Sequence, residues 1–219
     1  MTDDIPCKED STISFPDTGQ LKRCTLSCDH LIQGILFSAD SIVGFDENGK
    51  LWRCNISQGT VIDNIPCKAK TEVEFYSDGR LHMGTLSKET MINGFSAMAE
   101  TMVLFHKNGN LFKCTLARNT RIQGLPAKAG ADLCFFENKE LSALDLSEDA
   151  IIRGMPCLRE TRVWFHKNGE LAGCTLSDDF NMQGIKHRAH IHQPHCAASV
   201  GVLDNKGHAS PFRCCRLSM

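Results

Sequence analysis

The sequence predicts an all-β repeat solenoid, and three observations support this fold class. One apolar pattern recurs every 30 residues, in six copies without an insertion or a deletion. Within each copy, short runs alternate polar and apolar residues, which is the period-two pattern of a half-buried strand. No stretch shows the apolar spacing of an amphipathic helix convincingly. A fixed period of this length indicates that each copy is one structural unit that packs on its neighbours.

The repeat is defined by three apolar columns that we expect to face inward and stack as ladders. The first column consists of Phe15, Phe45, Phe75, Phe105, Phe135 and Phe165. The second consists of Leu21, Leu51, Leu81, Leu111, Leu141 and Leu171. The third consists of Ile32, Ile62, Ile92, Ile122, Ile152 and Met182.

The third copy, residues 71–100, illustrates the first half of the unit. Residues 71–75 alternate polar and apolar and form a first predicted strand. Residues 77–80 read Ser-Asp-Gly-Arg, and Asn-Gly or Asp-Gly occupies this place in four copies. Glycine tolerates the positive φ that such turns require, so we predict a turn here.

The second half of the copy predicts two more strands. Residues 81–86 form the second strand, and the polar residues 87–90 form a corner. Residues 91–93 begin a third short strand, which Gly94 bends. The prediction is therefore three short strands in each 30-residue copy.

Two topologies are compatible with this unit. An odd number of strands favours a parallel β-helix, in which six coils stacked about 4.8 Å apart make a rod of about 29 Å. The alternative is an antiparallel meander, in which Asn-Gly closes hairpins. A meander of identical copies needs an even number of strands per copy, so the parallel β-helix is the leading prediction.

The motif Phe-x-x-Asn-Gly-x-Leu resembles the core of MORN-type repeats and their bacterial antitoxin-like relatives. It occurs at residues 45–51, 105–111 and 165–171 and covers about seven residues of each copy. The family's further glycines and its Tyr/Trp positions are missing, and its repeat is shorter. The resemblance implies short hairpin repeats that serve as scaffolds. It assigns no functional role to any residue of this chain.

The repeats predict two regions along the chain. Residues 1–185 contain the six copies, with a partial repeat at the N-terminus that begins with Ile5-Pro6-Cys7. Residues 186–219 form a predicted C-terminal cap that holds a His-rich insertion and a degraded seventh repeat. Terminal repeats are commonly atypical, because they cover the exposed end of the array.

Composition excludes several partners. The chain has 24 Lys and Arg against 26 Asp and Glu, a formal charge of −2, so it lacks the basic footprint of a nucleic-acid or anionic-membrane binder. No run of about 18 apolar residues predicts a transmembrane helix. The N-terminal segment is acidic and polar and does not read as a secretory signal, so we expect a cytoplasmic location.

The His-rich insertion is a candidate metal site. It comprises His187, His190, His192, His195 and Cys196. Imidazole and thiolate groups are good ligands for Zn²⁺ and similar divalent ions. The alternative is an exposed polar cap, because the spacing matches no established ligand motif.

Eight of the twelve cysteines fall into two columns. One column consists of Cys24, Cys54, Cys114, Cys174 and Cys215, and the other consists of Cys7, Cys67 and Cys157. We expect most of them to be buried thiols that pack as small hydrophobic side chains. In a stacked coil, Cys24 and Cys54 would lie within disulfide range.

The remaining candidates are large aromatic residues in otherwise polar columns. Trp52, Phe112 and Trp164 are expected to be exposed, where they could stack on a glycan or anchor a protein partner. The predicted function is a non-enzymatic scaffold or protein- and ligand-binding surface. The alternative is a carbohydrate-active or metal-dependent enzyme centred on the His-rich cap. Self-association through open solenoid ends is a further expectation.

Overall fold

The protein is all-β throughout the part of the chain that its computed structural model describes, which is residues 5–9, 21–182, 185–189, 202–203 and 209–210. These residues contain strands and turns but no α-helix. Accordingly, none of them belongs to a helix long and apolar enough to cross a membrane. The all-β prediction is confirmed.

The chain divides into two compact units, residues 1–117 and 118–219. The strands of the first unit are β1 (Arg23–Thr25), β2 (His30–Ile32), β3 (Ile35–Phe37), β4 (Ile42–Phe45), β5 (Leu51–Ile56), β6 (Thr60–Ile62), β7 (Ile65–Cys67), β8 (Thr71–Phe75), β9 (Leu81–Thr85), β10 (Thr90–Ile92), β11 (Phe95–Ala97), β12 (Met102–Phe105) and β13 (Leu111–Thr115).

The second unit repeats the same series. Its described strands are β14 (Thr120–Ile122), β15 (Leu125–Ala127), β16 (Asp132–Phe135), β17 (Leu141–Asp145), β18 (Ala150–Ile152), β19 (Met155–Cys157), β20 (Arg162–Phe165), β21 (Leu171–Gly173), β22 (Phe180–Met182), β23 (Ile185–His187), β24 (Val202–Leu203) and β25 (Ala209–Ser210).

All strand pairing within each unit is antiparallel. In the first unit the sheet order is β1-β4-β5-β8-β9-β12-β13, and in the second it is β16-β17-β20-β21. The leading prediction of a parallel β-helix is therefore wrong, and the antiparallel alternative describes the pairing. The resemblance to MORN-type repeats stays a prediction.

Each copy that the structure describes in full carries four strands, two in the sheet and two in a separate short hairpin. The hairpin of the third copy pairs β10 with β11, with Thr90 opposite Ala97 and Ile92 opposite Phe95. Asn93 and Gly94 close it with φ values of 52° and 87°. Positive φ at both loop residues is the signature of the type I′ turn, which matches the twist of antiparallel strands. Gly94 thus reverses the chain, where the sequence had predicted a bend within one strand.

The sheet hairpins use a different turn, which the Asn-Gly motif encodes. In the β4–β5 hairpin, the amide of Gly49 donates to the carbonyl of Asp46 at 3.1 Å, and the amide of Asp46 donates to the carbonyl of Lys50 at 2.8 Å. Gly49 adopts a φ of 72°, and the pairing register shifts next to Phe45. This is a three-residue hairpin loop that ends at the left-handed Gly49, and the register shift places a bulge on β5, where Trp52 is the additional residue.

The core lies along one face of the sheet, between the sheet and the small hairpins. Val43, Phe45 and Leu51 are 0%, 2% and 2% exposed, and their equivalents in the other described copies are mostly buried as well. Ile62 of the small hairpin is buried too. The inward placement is confirmed for most described members of the Phe, Leu and Ile columns, and each buried side chain contributes about 1.5–3 kcal/mol by leaving water.

Small hairpins are attached to the sheet strand of the next copy, as bridges from β7, β11, β15 and β19 show. Cys67 at the end of β7 bridges to Leu86 just after β9. The amide of Lys68 donates to the carbonyl of Thr85, and the amide of Ser87 donates to the carbonyl of Pro66, both at 2.8 Å. Similar bridges join Cys7 to Leu26 and Cys157 to Leu176. We call this junction the corner; it fixes the hairpin over the core.

Candidate functional site

Most of the predicted metal site lies outside the described residues. His190, His192, His195 and Cys196 fall there, and His187 is placed only as the last residue of β23. Within the described segments, no group of three or more His, Cys, Asp or Glu side chains could hold a metal ion. The zinc-like site therefore stays a prediction.

The described members of the cysteine columns are free thiols that point into the core or border it. Cys24 and Cys54 lie opposite the same residue, Val43, from the two strands on either side of it. Two strand spacings are about 9.5 Å, so the predicted Cys24–Cys54 proximity is wrong. The antiparallel sheet inserts a strand between residues that a stacked coil would have placed next to each other.

Burial makes two of these thiols poor nucleophiles. It raises the pKa of Cys54 and of Cys67 to about 12, with the nearby Asp63 carboxylate adding to the effect at Cys67. A thiol attacks as its thiolate, which is scarce at neutral pH when the pKa is that high. Cys54 and Cys67 therefore act as packing residues, as the sequence predicted.

Exposed and half-buried aromatic residues form an ordered feature near the sheet turns of the first unit. We call Trp52, Tyr76, His82, His106 and Phe112 the aromatic row. Trp52, His82 and Phe112 occupy one repeat position on β5, β9 and β13, so two strand spacings, about 9.5 Å, separate each from the next. Trp52 is 50% exposed and Phe112 is 37% exposed.

Turn residues connect the members of the row. The Tyr76 ring lies 4.7 Å from the His82 ring, with 49° between their planes. The His106 ring lies 4.9 Å from the Phe112 ring, with 50° between the planes. The Tyr76 hydroxyl donates to the Phe105 carbonyl at 2.9 Å, which ties one sheet hairpin to the next. These contacts hold Tyr76, His82, His106 and Phe112 in place, whereas the ring of Trp52 contacts the guanidinium of Arg53.

The bulge of the sheet hairpin explains why these side chains are outside. In β5, Gly44 pairs with Arg53 and Phe45 pairs with Leu51, so Trp52 is the additional residue of the bulge. An additional residue on one strand breaks the alternation and leaves its side chain without a cross-strand partner. Alignment of the internal repeats predicted that Trp52 and Phe112 are exposed. It did not predict the row, because the rings of Tyr76 and His106 come from the turn.

A groove of about 620 Å³ lies beside Trp52 on the outer face of the same sheet. We call it the basic groove. Its lining includes Lys22, Arg23, Arg53, Trp52 and Gly44. Gly44 permits the close approach of β4 to β5 at this point, since a Cβ atom there would lie 2.7 Å from the carbonyl oxygen of Arg53.

The charges of the groove are partly neutralised. Arg53 forms ion pairs with Glu74 and, at 3.5 Å, with Glu72, and its guanidinium lies 5.2 Å from the centre of the Trp52 ring. Glu74 also lies 3.3 Å from Nδ1 of His82. These pairs fix Arg53 over one face of the indole, whereas Lys22 and Arg23 add positive charge to the lining.

The second unit keeps aromatic residues at the turn positions, Phe136 and His166, but its described strands carry none at the strand position of the row. Ser142 and Ala172 occupy the position of Trp52 and Phe112 there. Trp164 is 36% exposed and lies on β20, opposite Ala143. A separate cavity of about 490 Å³ lies between turns, and its lining includes Asn138, Glu140 and Arg153.

Comparison of the chain with known proteins finds no matching family model and no curated protein of significant similarity. The geometry of the first unit is thus the basis for a functional assignment. An exposed tryptophan, a fixed arginine and a groove can recognise another molecule by contact.

Proposed function

We propose that the protein is a non-enzymatic β-repeat scaffold that binds a partner protein through the aromatic row and the basic groove. The observation that carries this proposal is Trp52, which is half exposed at the edge of the groove with Arg53 over its ring. Tryptophan and arginine are the residue types that contribute most often to protein–protein affinity when an interface covers them.

The geometry favours a protein over a glycan as the partner. Sugars stack on flat aromatic faces, whereas the paired rings of this row are tilted by 49° and 50°. One face of Trp52 is already covered by the Arg53 guanidinium. A partner segment with an apolar anchor flanked by carboxylates fits both the exposed rings and the positive charges of Lys22 and Arg23.

Rigidity supports a scaffold role. The members of the row come from three successive hairpins, and the antiparallel pairing of β4 through β13 fixes the spacing between those hairpins. Preorganised side chains lose little conformational entropy on binding. The surface can therefore bind without rearrangement, and neither catalysis nor a cofactor is required.

The test uses the full-length protein with two exposed-tryptophan variants. A photoreactive residue at position 112 captures a partner, which is then purified and titrated. We expect Trp52→Ala to weaken its binding at least about tenfold, because an interface residue of this type commonly contributes more than 1 kcal/mol. Trp164→Ala is the matched control and should change affinity less than about twofold, as a residue outside the interface does.

Three outcomes would contradict the proposal. Equal losses for Trp52→Ala and Trp164→Ala would show that the row does not define the interface. Binding to a glycan array that depends on Trp52 would make the partner a carbohydrate. Robust turnover in a hydrolase panel would support the enzyme alternative instead, and loss of that turnover in a His190→Ala/His192→Ala variant would locate it in the cap.

Self-association is the remaining expectation for partners. A concentration-dependent increase in apparent mass would support it, and a monomer at high concentration would contradict it. The Trp52→Ala variant separates the two ideas, because it should lose the partner protein without changing the mass of the free chain.

A further inference from the structure

The corner between a small hairpin and the next sheet strand brings together two residues that are 17 positions apart. The six residue pairs at this place are Cys7 and Cys24, Phe37 and Cys54, Cys67 and Gly84, Ala97 and Cys114, Ala127 and Leu144, and Cys157 and Cys174. Cysteines occupy both positions in two of the six. We propose that Cys7–Cys24 and Cys157–Cys174 are two oxidisable dithiol sites that form intrachain disulfides with a small disulfide oxidant.

The pairing of the backbone is the same at both sites. The amide of Lys8 donates to the carbonyl of Thr25 and that of Leu158 donates to the carbonyl of Thr175, both at 2.8 Å. Cys7 bridges to Leu26 and Cys157 bridges to Leu176. Each cysteine pair therefore lies at an antiparallel bridge that backbone hydrogen bonds hold in place.

The thiols of each pair lie next to each other. The thiols of Cys157 and Cys174 are close enough for each to change the pKa of the other, and the thiol of Cys7 likewise raises the pKa of Cys24. In both pairs one thiol is buried, Cys24 or Cys157, and the other is only partly buried. An oxidant can therefore reach the partly buried thiol, and the buried thiol lies beside it, in position to react second.

The equivalent corner of another copy shows that the geometry suits a disulfide. At the Cys67 corner, a Cβ atom built on Gly84 lies 3.1 Å from the sulfur of Cys67. In a disulfide, the Cβ of one cysteine lies about 3 Å from the sulfur of the other, given an S–S bond of about 2.04 Å. A cysteine at position 84 would meet this distance without moving the backbone.

The reaction proceeds by two exchange steps. The thiolate of Cys174 attacks one sulfur of a small disulfide such as oxidised glutathione, forms a mixed disulfide and releases one small thiol. The thiolate of Cys157 then attacks the Cys174 sulfur and releases the second small thiol. Each small thiol leaves with the proton that one protein thiol has lost. Two protein thiols are oxidised to one disulfide, and one small disulfide is reduced to two thiols.

Electrostatics favours this order at the C-terminal pair. The hydrogen bond from Cys157 lowers the pKa of Cys174, while the same interaction and burial raise the pKa of Cys157. The partly exposed thiol is thus the better thiolate at neutral pH. At the N-terminal pair, burial raises the pKa of Cys24 to about 12, which makes it the second thiol to react.

The test is peptide mapping of the full-length protein after equilibration with reduced and oxidised glutathione and alkylation in denaturant. We expect a Cys7–Cys24 and a Cys157–Cys174 bridge, each lacking two hydrogen atoms, and alkylated Cys54, Cys67 and Cys114. The oxidised protein should also unfold at a higher temperature than the reduced protein. Alkylation of all these residues alike, or bridges to other partners, would overturn the proposal.

Three variants keep the test independent of folding problems at the native pairs. Gly84→Cys should add a bridge between Cys67 and the introduced thiol, whereas Leu144→Cys, which faces Ala127, should add none. Cys174→Ser should remove one bridge and leave Cys7–Cys24 intact. A Gly84→Cys protein that folds but leaves Cys67 alkylated would contradict the geometry of the corner. The result does not depend on the partner-binding proposal.

Discussion

At the residue scale, a left-handed backbone conformation determines which amino acid suits the sheet turns. Gly49, Gly79, Gly109 and Gly169 occupy this position with φ values between 72° and 88°. In the fifth copy Lys139 takes the same conformation, with a φ of 69°. A side chain costs about 1–2 kcal/mol in this region, because its Cβ crowds the following carbonyl oxygen.

Lys139→Gly is therefore expected to stabilise the protein. The relief of backbone crowding exceeds the additional entropy that glycine loses on folding, so the free energy of unfolding should rise by about 0.5–1 kcal/mol. Urea denaturation of the two proteins measures the difference.

Gly79→Lys is the matched control. A Cβ at position 79 has no heavy atom within 4 Å, so a substitution there tests the backbone conformation alone. It should lower the free energy of unfolding by about the same amount. An unchanged stability in both variants would show that Lys139 carries no conformational cost.

At the element scale, one short segment decided the topology. Residues 91–93 were predicted to begin a single strand that Gly94 bends, whereas residues 90–97 form the hairpin of β10 and β11. Asn93-Gly94 is a strong two-residue turn signal, but the other described copies have Gln33-Gly34, Asp63-Asn64, Gln123-Gly124 and Arg153-Gly154 in its place, which conceal it. Counting this hairpin as two strands gives an even number per copy and predicts the meander.

Other features of the elements were readable from the sequence. The inward face of each sheet strand follows from period-two alternation, because successive side chains point to opposite faces. The position of the sheet turns follows from Asn-Gly, and Asn108 shows the reason, since its side-chain oxygen accepts from the amide of Asn110 at 3.0 Å. Each corner pair joins the end of a small hairpin to the next sheet strand, 17 positions further on, so the pairs could not be recognised while that hairpin was missed.

The small hairpins give a matched comparison of neighbouring residues. Ile92 is 6% exposed and faces the core, whereas Met91 is 66% exposed on the same strand. Ile92→Ala should lower the free energy of unfolding by about 2–5 kcal/mol, through lost burial and the cavity left behind. Met91→Ala should change it by less than about 0.5 kcal/mol, as most surface substitutions do.

Thermal and urea denaturation of both variants measure this difference. Similar losses for Ile92→Ala and Met91→Ala would show that the hairpin buries both of its faces. That result would place a covering segment over Met91 and would require a different assignment of the core.

At the scale of the whole molecule, a period of 60 residues is superimposed on the 30-residue repeat. Ion pairs join Lys8 to Asp40, Lys68 to Glu100 and Lys128 to Glu160. Each pair spans 32 residues, and the three first members are 60 residues apart. Exposed ion pairs of this kind contribute about 0–1 kcal/mol to the free energy of unfolding. They therefore affect how the copies align more than they stabilise the fold.

Stability should therefore depend mainly on contacts between neighbouring copies, as in other repeat proteins. Leu51→Ala removes a side chain that is 2% exposed in β5. We expect faster amide hydrogen exchange in β4, β5 and β8 of the variant, with smaller changes in β12 and β13. Hydrogen exchange followed by mass spectrometry of peptides from the first unit resolves these strands.

A reciprocal variant makes this prediction specific. Leu111→Ala removes the equivalent residue of β13, also 2% exposed, and should accelerate exchange in β12 and β13 more than in β4 and β5. Trp52→Ala, next to Leu51 but half exposed, should leave exchange nearly unchanged. Equal acceleration throughout the first unit in both leucine variants would instead show that its copies unfold together. In that case the spacing of the aromatic row would be maintained by the unit as a whole, because no single hairpin could open without the others.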